Sequence, residues 1–230
     1  MPRFSFLYAI MSLKNFIRKT VNFKFRYIQK SFGDRPFTLL DVGAGNHSAS
    51  SITSVFPHCS YYGLDLDSSY NNDEQDIRAM KGFFQLDLTR LDYSAVPDAF
   101  FDGIVMAHVI EHLHNGDKVL PLLMKKLKPG GYFYIEYPGE KSLHLPSMRG
   151  TLNFKDDTTH VRVYSVPELK AIFEANEGQV LQAGTRRNGW YIAGIPVRIL
   201  ESLIKKGYVQ GNTFWDLLGF AEYLWVKKKG

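Results

Sequence analysis

Five short apolar runs alternating with stretches of helical spacing leave this chain few folds to adopt. The runs lie at 37–42, 60–64, 82–86, 101–106 and 132–136, each bounded by Gly, Pro or Asp. Helical patterns occupy 47–56, 72–80, 109–127 and 167–176. Such alternation predicts an α/β fold, a mostly parallel and doubly wound sheet covered on both faces. Ligands of such sheets bind at the carboxyl ends of the strands. The single cysteine, Cys59, excludes an intrachain disulfide and fits a cytoplasmic address.

Charge divides the chain in two. Residues 1–33 carry seven basic residues and no acid, whereas the remainder carries 21 basic and 23 acidic residues. The net charge of +5 therefore belongs to an amino-terminal arm, and the body lacks the basic working face of a nucleic-acid binder. The apolar opening at 4–13 is half the length of a bilayer span, which needs about 20 residues. It also has no cleavage site of the signal-peptide kind. From there Phe16, Ile17, Val21, Phe25, Ile28 and Phe32 recur three or four apart, with Lys14, Arg18, Asn22, Arg26 and Lys30 on another stripe. Residues 1–35 are expected to form a basic amphipathic helical arm. Its apolar stripe is expected to pack over the domain, with contact to an anionic membrane surface as the alternative.

The first strand ends in an acid and a glycine turn, Asp41-Val42-Gly43-Ala44-Gly45-Asn46-His47. Glycines there let the backbone turn tightly and approach a ligand closely. The dinucleotide fingerprint needs a third glycine where Ser48 stands, and Asp41 just before the loop disfavours a pyrophosphate. A cationic ligand with an amino-acid moiety suits that acid better. Asp65 ends the second run, about 20 residues on, where an acid can accept from ribose hydroxyls. Asp87 follows the third run and can accept from an exocyclic amine.

In this combination the chain resembles the class I S-adenosylmethionine-dependent methyltransferases over residues 37–184. The resemblance implies a Rossmann-like seven-stranded sheet ordered 3-2-1-4-5-7-6 with strand seven antiparallel, residues 220–226 supplying that strand. It implies S-adenosylmethionine as cofactor. Gly43, Ala44 and Gly45 would line the methionine portion, and Asp41 would support its amino group. Asp65 would hold the ribose with Leu66 beside the adenine, and Asp87 would meet the adenine amine with Leu88 next to it. Ala107 and His108 would sit below the sulfonium. A third glycine is frequent in the family where His47 stands, so the loop is expected to take a slightly different path.

Two segments interrupt the methyltransferase domain, expected over 36–230, at about 138–164 and 186–213. The first is long for a connection and falls where an acceptor must bind. His160 and Arg162 alternate within it, so both are expected to face one pocket with Tyr137. His160 is the first candidate for a base and His108 the second, with Asp157 as orienting partner. In the second, Val197, Leu200, Leu203 and Ile204 predict a short amphipathic helix packed on the domain, with a cover over the acceptor site or a dimer or membrane surface as the alternatives. His108-Val109-Ile110-Glu111-His112 matches a zinc-peptidase pattern. It is taken instead as the helix opening after the cofactor site, and no metal is expected. O-methylation of a sugar, glycan or other small hydroxylated metabolite is the expected reaction, by analogy with family members carrying a similar loop. An RNA methyltransferase and a non-catalytic cofactor-binding subunit are the alternatives.

Overall fold

The computed structural model describes residues 15–230; the apolar opening at 4–13 lies outside them. Seven strands form one sheet: β1 Phe37–Val42, β2 Cys59–Asp65, β3 Gly82–Gln85, β4 Phe101–Ala107, β5 Leu127–Pro138, β6 Gly178–Thr185 and β7 Ala221–Lys228. Their order is β3-β2-β1-β4-β5-β7-β6, parallel from β3 to β5 and antiparallel at β5–β7 and β7–β6. The parallel strands are short and almost wholly apolar because helices cover them on both sides. Leu39, Leu40, Val42, Leu64, Ile104, Met106, Phe133 and Ile135 are all buried.

The amino-terminal arm belongs to this core. Residues 15–21 are helical, the chain bends at Asn22, and α1 (Phe23–Phe32) follows with the Asn22 side chain accepting from Phe25 N–H as its cap. Phe23, Phe25, Tyr27, Ile28 and Phe32 are buried against β1, β4, β5 and β7. Tyr27 stacks on Tyr134 at 5.2 Å and meets Phe23, Tyr223 and Trp225 within 5.4 Å. Arg18 donates to the Ser51 and Ser54 hydroxyls of α2 (Ser48–Val55), both at 2.9 Å. Phe16 and Ile17 stay exposed.

Three expected helices form close to their predicted limits: α2, α3 (Glu74–Ala79) and α5 (Val166–Ala175). Ser165 caps α5 by accepting from Glu168 N–H at 3.3 Å. The stretch 109–127 differs from expectation. It holds a single 3-10 turn at Ile110–His112, then α4 (Gly116–Lys126), and its last residue begins β5. His108, in the left-handed region at φ 56°, cannot continue an α-helix out of β4.

The insertion after β5 is organised by one carboxylate. Asp156 accepts from the Ser147 hydroxyl and from the backbone N–H of Met148, Leu152 and Asn153 at 3.1, 2.8 and 2.7 Å. The second insertion holds α6 (Gly189–Ala193), α7 (Ile195–Lys206) and α8 (Trp215–Leu218). Here the expected packing is reversed. Val197, Leu200, Leu203 and Ile204 are 69, 59, 45 and 75% exposed. The polar side of α7 faces the protein instead: Arg198 donates to the Thr213 and Asn212 carbonyls, and Ser202 bonds Tyr208 and Gln210. Lys228 donates to the Met124 and Leu127 carbonyls. No described helix is long and apolar enough to cross a membrane.

Two measurements check this architecture. Tyr27→Ala empties a site walled by four aromatic rings and should cost about 3–5 kcal/mol in urea unfolding. The exposed Ile17→Ser should stay within about 0.5 kcal/mol. Equal midpoints for the two variants would contradict the packing of the arm. Acid should act on Asp156, whose pKa is lowered to about 2: burial pushes it up, and the Ser147 hydroxyl with the three N–H donors outweighs burial. Because the folded value lies below the unfolded one, its contribution of about 2 kcal/mol is complete above about pH 5 and fades as pH falls towards 2. The stability gap between the natural chain and Asp156→Asn should therefore close from pH 6 to pH 3. A gap independent of pH would refute the assignment.

Candidate active site

The sheet sets three acids along the carboxyl ends of β1, β2 and β3. Asp41, 2% exposed, is the most enclosed. Its carboxylate accepts from the Ser48 hydroxyl and from Tyr61 OH at 2.8 Å, with Lys24 Nζ at 3.8 Å. Lys24 also donates to Ser48 Oγ at 3.1 Å. These groups wall a pocket of about 210 Å³ lined by Asn22, Lys24, Asp41, Gly43, Gly45 and Ala107 among others. The amino-terminal helix thus contributes a side of the pocket, and Lys24 is a residue that sequence reasoning passed over. It falls outside the polar stripe of Lys14, Arg18, Asn22, Arg26 and Lys30 read from the sequence. Larger hollows lie at the opposite, amino-terminal edge of the strands, away from these acids.

The loop after β1 must contain glycine where it does. Gly43 has φ +81°, and a Cβ there would fall 2.3 Å from Val109 Cγ2. A Cβ on Gly45 would meet the Tyr70 ring at 2.6 Å and the Tyr70 carbonyl at 2.8 Å. Ala44 between them is fully buried. At His47 the backbone takes φ 57°, the conformation a glycine would adopt freely. His47 holds this left-handed turn and anchors it through Nδ1, 2.7 Å from the buried Asp76 carboxylate. Asp76, with the Asp73 and Ser50 N–H groups on it as well, sits below the usual carboxylate range, and His47 is shifted up.

Asp65 stands at the end of β2, half-buried, with its own Leu66 N–H on Oδ1 at 2.6 Å. Burial raises its pKa, with like charge from Asp67 and Asp41 adding to it. Leu66 beside it is 66% exposed, a bare apolar surface at the place expected for an adenine. Asp87 caps a short 3-10 turn, holding Thr89 N–H at 2.9 Å and its hydroxyl at 2.6 Å. Leu88 departs from expectation, its side chain being packed in the core.

Beyond Ala107 lies a cluster of charges. His108 lies against Trp215, the rings tilted by 39°, and sits between two buried carboxylates, with Nε2 at 3.1 Å from Glu136 and Nδ1 at 3.3 Å from Glu111. Burial alone would lower its pKa; Glu111 and Glu136 outweigh that and raise it to about 9. A ring held protonated between two acids is a poor base at neutral pH, so the second candidate for that role is set aside on geometry and charge. Glu136 in turn accepts from Tyr134 OH and from Arg186, and Arg186 grips Asp216 through Nε and Nη2 at 3.0 and 2.7 Å.

His160 comes to the same place from the first insertion. Its side chain is 5% exposed, its Nδ1 lies 2.7 Å from the Phe154 carbonyl, and its Nε2 lies 4.0 Å from Glu111 and 3.7 Å from Asp157. The group that orients the ring is therefore the Phe154 carbonyl, whereas Asp157 stands on the opposite nitrogen's side. Two expected substrate residues lie elsewhere. Tyr137 is fully buried in the core with its hydroxyl towards Glu222, because β5 turns that face inward. Arg162 is spent on Asp117, Glu168 and the His114 carbonyl and covers Tyr164, so it braces α4 and α5. Glu111, which no spacing argument singled out except as part of the zinc-peptidase pattern, is 1% exposed and shared by His108 and His160.

Comparison with known proteins agrees with this geometry. The chain matches the family model described as a methyltransferase domain over residues 13–183. None of the curated proteins matches it in sequence. Among solved structures it is similar to one of the complex between the Haloferax volcanii Trm112 methyltransferase activator and a methyltransferase. That likeness has a TM-score of 0.65 at 14% identity, covering 94% of this chain and 93% of the other. A SAM-dependent methyltransferase from Archaeoglobus fulgidus gives 0.58 at 21% identity over 95% and 94%. One from Mesorhizobium loti gives 0.64 at 11% identity over 89% and 97%. With the glycine cradle, the three strand-end acids and a family match across most of its length, the chain belongs to the class I S-adenosylmethionine-dependent methyltransferases.

Proposed function

We propose that this enzyme methylates a hydroxyl group of a small polyhydroxylated compound, a sugar or glycan unit among them. The observation that carries the reading is the cluster of Glu111, His112, His160 and Asp157 just beyond the end of β4, next to the Ala107 side of the cofactor pocket. A hydroxyl must lose its proton as its oxygen forms the new bond to carbon, and imidazole and carboxylate groups are suited to accept it near neutral pH. An amine or thiol acceptor would need less help. S-adenosylmethionine supplies a methyl group already activated by its positive sulfur, so the chain's work is positioning and water exclusion.

Each strand end then has a task. Asp65 accepts from the ribose hydroxyls, and Leu66 with Leu88's backbone borders the adenine, whose amine Asp87 meets. Asp41 supports the methionine amino group, and Lys24, 3.8 Å from Asp41 across the same pocket, pairs with the methionine carboxylate. Gly43, Ala44 and Gly45 let the backbone close on that moiety. The insertions at 138–164 and 186–213 roof the acceptor, with His160 nearest to its hydroxyl. The body's net acidic balance supports a small acceptor over a nucleic acid.

Calorimetry with S-adenosylmethionine should show one site per chain. Asp65→Ala should weaken binding by about 10- to 100-fold, the loss of a charged hydrogen-bond acceptor. Lys24→Met should weaken it by about tenfold and spare adenosine binding, since adenosine lacks the carboxylate. With a panel of hydroxylated acceptors and labelled cofactor, His160→Gln should lower turnover by about 100-fold or more at unchanged cofactor affinity. Methyl transfer confined to amines, or equal turnover by His160→Gln, would reject the hydroxyl reading.

A further inference from the structure

Glu111 presents a chemical problem that the cofactor site does not resolve. Its side chain is 1% exposed, yet neither carboxylate oxygen has a hydrogen-bond partner among the described residues. The charge of His108 lies beside it, but a buried carboxylate whose oxygens accept no hydrogen bond is only half compensated. His108 Nδ1 approaches Oε1 at 3.3 Å but out of line for a hydrogen bond. The unsatisfied oxygens face a space bordered by two further side chains, His112 and His160, and one ligand atom from each of the three lies within 4.8 Å of the others.

The two imidazoles are set in a particular way. His160 Nδ1 is 2.7 Å from the Phe154 carbonyl, which can only accept, so that nitrogen carries the proton. His112 Nδ1 lies 3.1 Å from the Thr159 carbonyl and 3.0 Å from Thr159 Oγ1. That hydroxyl donates to Asp157, so His112 Nδ1 is again the donor. In the neutral imidazole each ring then carries its lone pair on Nε2. Histidines that ligate metals are held in this manner, one nitrogen donating to a carbonyl or carboxylate while the other faces the ion. For His160 that lone pair points towards Glu111 and Asp157 at 4.0 and 3.7 Å. These are acceptors facing an acceptor, too far apart for a proton to bridge. An ion about 2.1 Å from each of three ligands holds them about 3.4 Å apart, so the site needs only a small closure to bind one.

We infer that Glu111, His112 and His160 bind a divalent transition-metal cation, with Asp157 beside it and the remaining positions open to an acceptor oxygen. Two imidazoles and one carboxylate suit zinc, iron(II), cobalt(II) or manganese(II) better than magnesium or calcium. The cation's existence stands apart from the reaction. Its role rests on the hydroxyl reading above and changes His160 from proton acceptor to ligand: the cation lowers the pKa of a hydroxyl on the acceptor, whose proton leaves to solvent before the oxygen is methylated.

The test is metal binding by the chelator-treated full chain, with no acceptor or cofactor present. Titration with zinc is expected to give one tight site per chain, and cobalt(II) a visible absorption band displaced by zinc. His112→Gln, at a part-exposed position, and Glu111→Gln should each weaken zinc binding by about 100-fold, both checked for folding by S-adenosylmethionine binding. His47→Ala, which disrupts the other histidine–carboxylate grouping near Asp73 and Asp76, should leave the site unchanged. Absence of saturable binding by folded protein would overturn the proposal, as would loss of the site in His47→Ala alone. Metal binding without cofactor binding would leave the site standing and remove the methyltransferase role; the reverse pattern would remove only the metal.

Discussion

Arg186 holds the upper half of the molecule together. It joins Glu136 at the end of β5 to Asp216 in α8, all three side chains being nearly out of contact with water. Burial would lower its pKa, and the charges of Glu136 and Asp216 instead raise it. Opposed charges in such a setting are costly singly and stable only as a set. From this pair the rest of the acceptor side is placed. Glu136 also holds His108, whose ring rests against Trp215, and Asp216 accepts from Asn188 N–H to start α6. The Asn188 side chain then reaches the Val21 carbonyl of the amino-terminal arm. One guanidinium thereby connects the end of β5, the roof and the arm.

The arm serves two purposes with its two faces. Its aromatic residues complete the layer over β1, β4, β5 and β7, and its polar face brings Asn22 and Lys24 to the pocket beside Asp41. The match to the family model starts at residue 13, in agreement with a helix built into the domain. Among the described basic residues of the arm, Lys24 is the one that lines this pocket.

Strands and strand-end acids were legible because each depends on local pattern. An apolar run closed by Asp41 or Asp65 can take few places in a doubly wound sheet. What escaped were features fixed by partners distant in sequence. Tyr137 and Arg162 sit near the right strand, but which way each side chain turns depends on Glu222, Asp117 and Glu168. Leu88 follows an exposed acid yet packs inward. The helical spacing of Val197, Leu200, Leu203 and Ile204 was read correctly as a helix. Periodicity defines an apolar face without saying whether anything covers it, and here Arg198 and Ser202 turn the polar face to the protein. Glu111 belongs to the same class, since its solitude among histidines arises only when residue 160 folds back over residue 111.

The loop between β1 and α2 has a consequence for how a ligand enters. Asn46 and His47 both adopt left-handed geometry, and three contacts from one neighbouring segment fasten the loop: Asn71 to Asn46, Asn72 to the Ala44 carbonyl, and Asp76 to His47. A backbone of glycines alone would sample many shapes and surrender that freedom on binding, at about 1–2 kcal/mol for each residue ordered. Here the shape is already set by contacts from residues 71–76. The order of this end of the pocket therefore depends on the segment at 71–76, so that changes there would act through the entropy of the loop rather than through its own contacts.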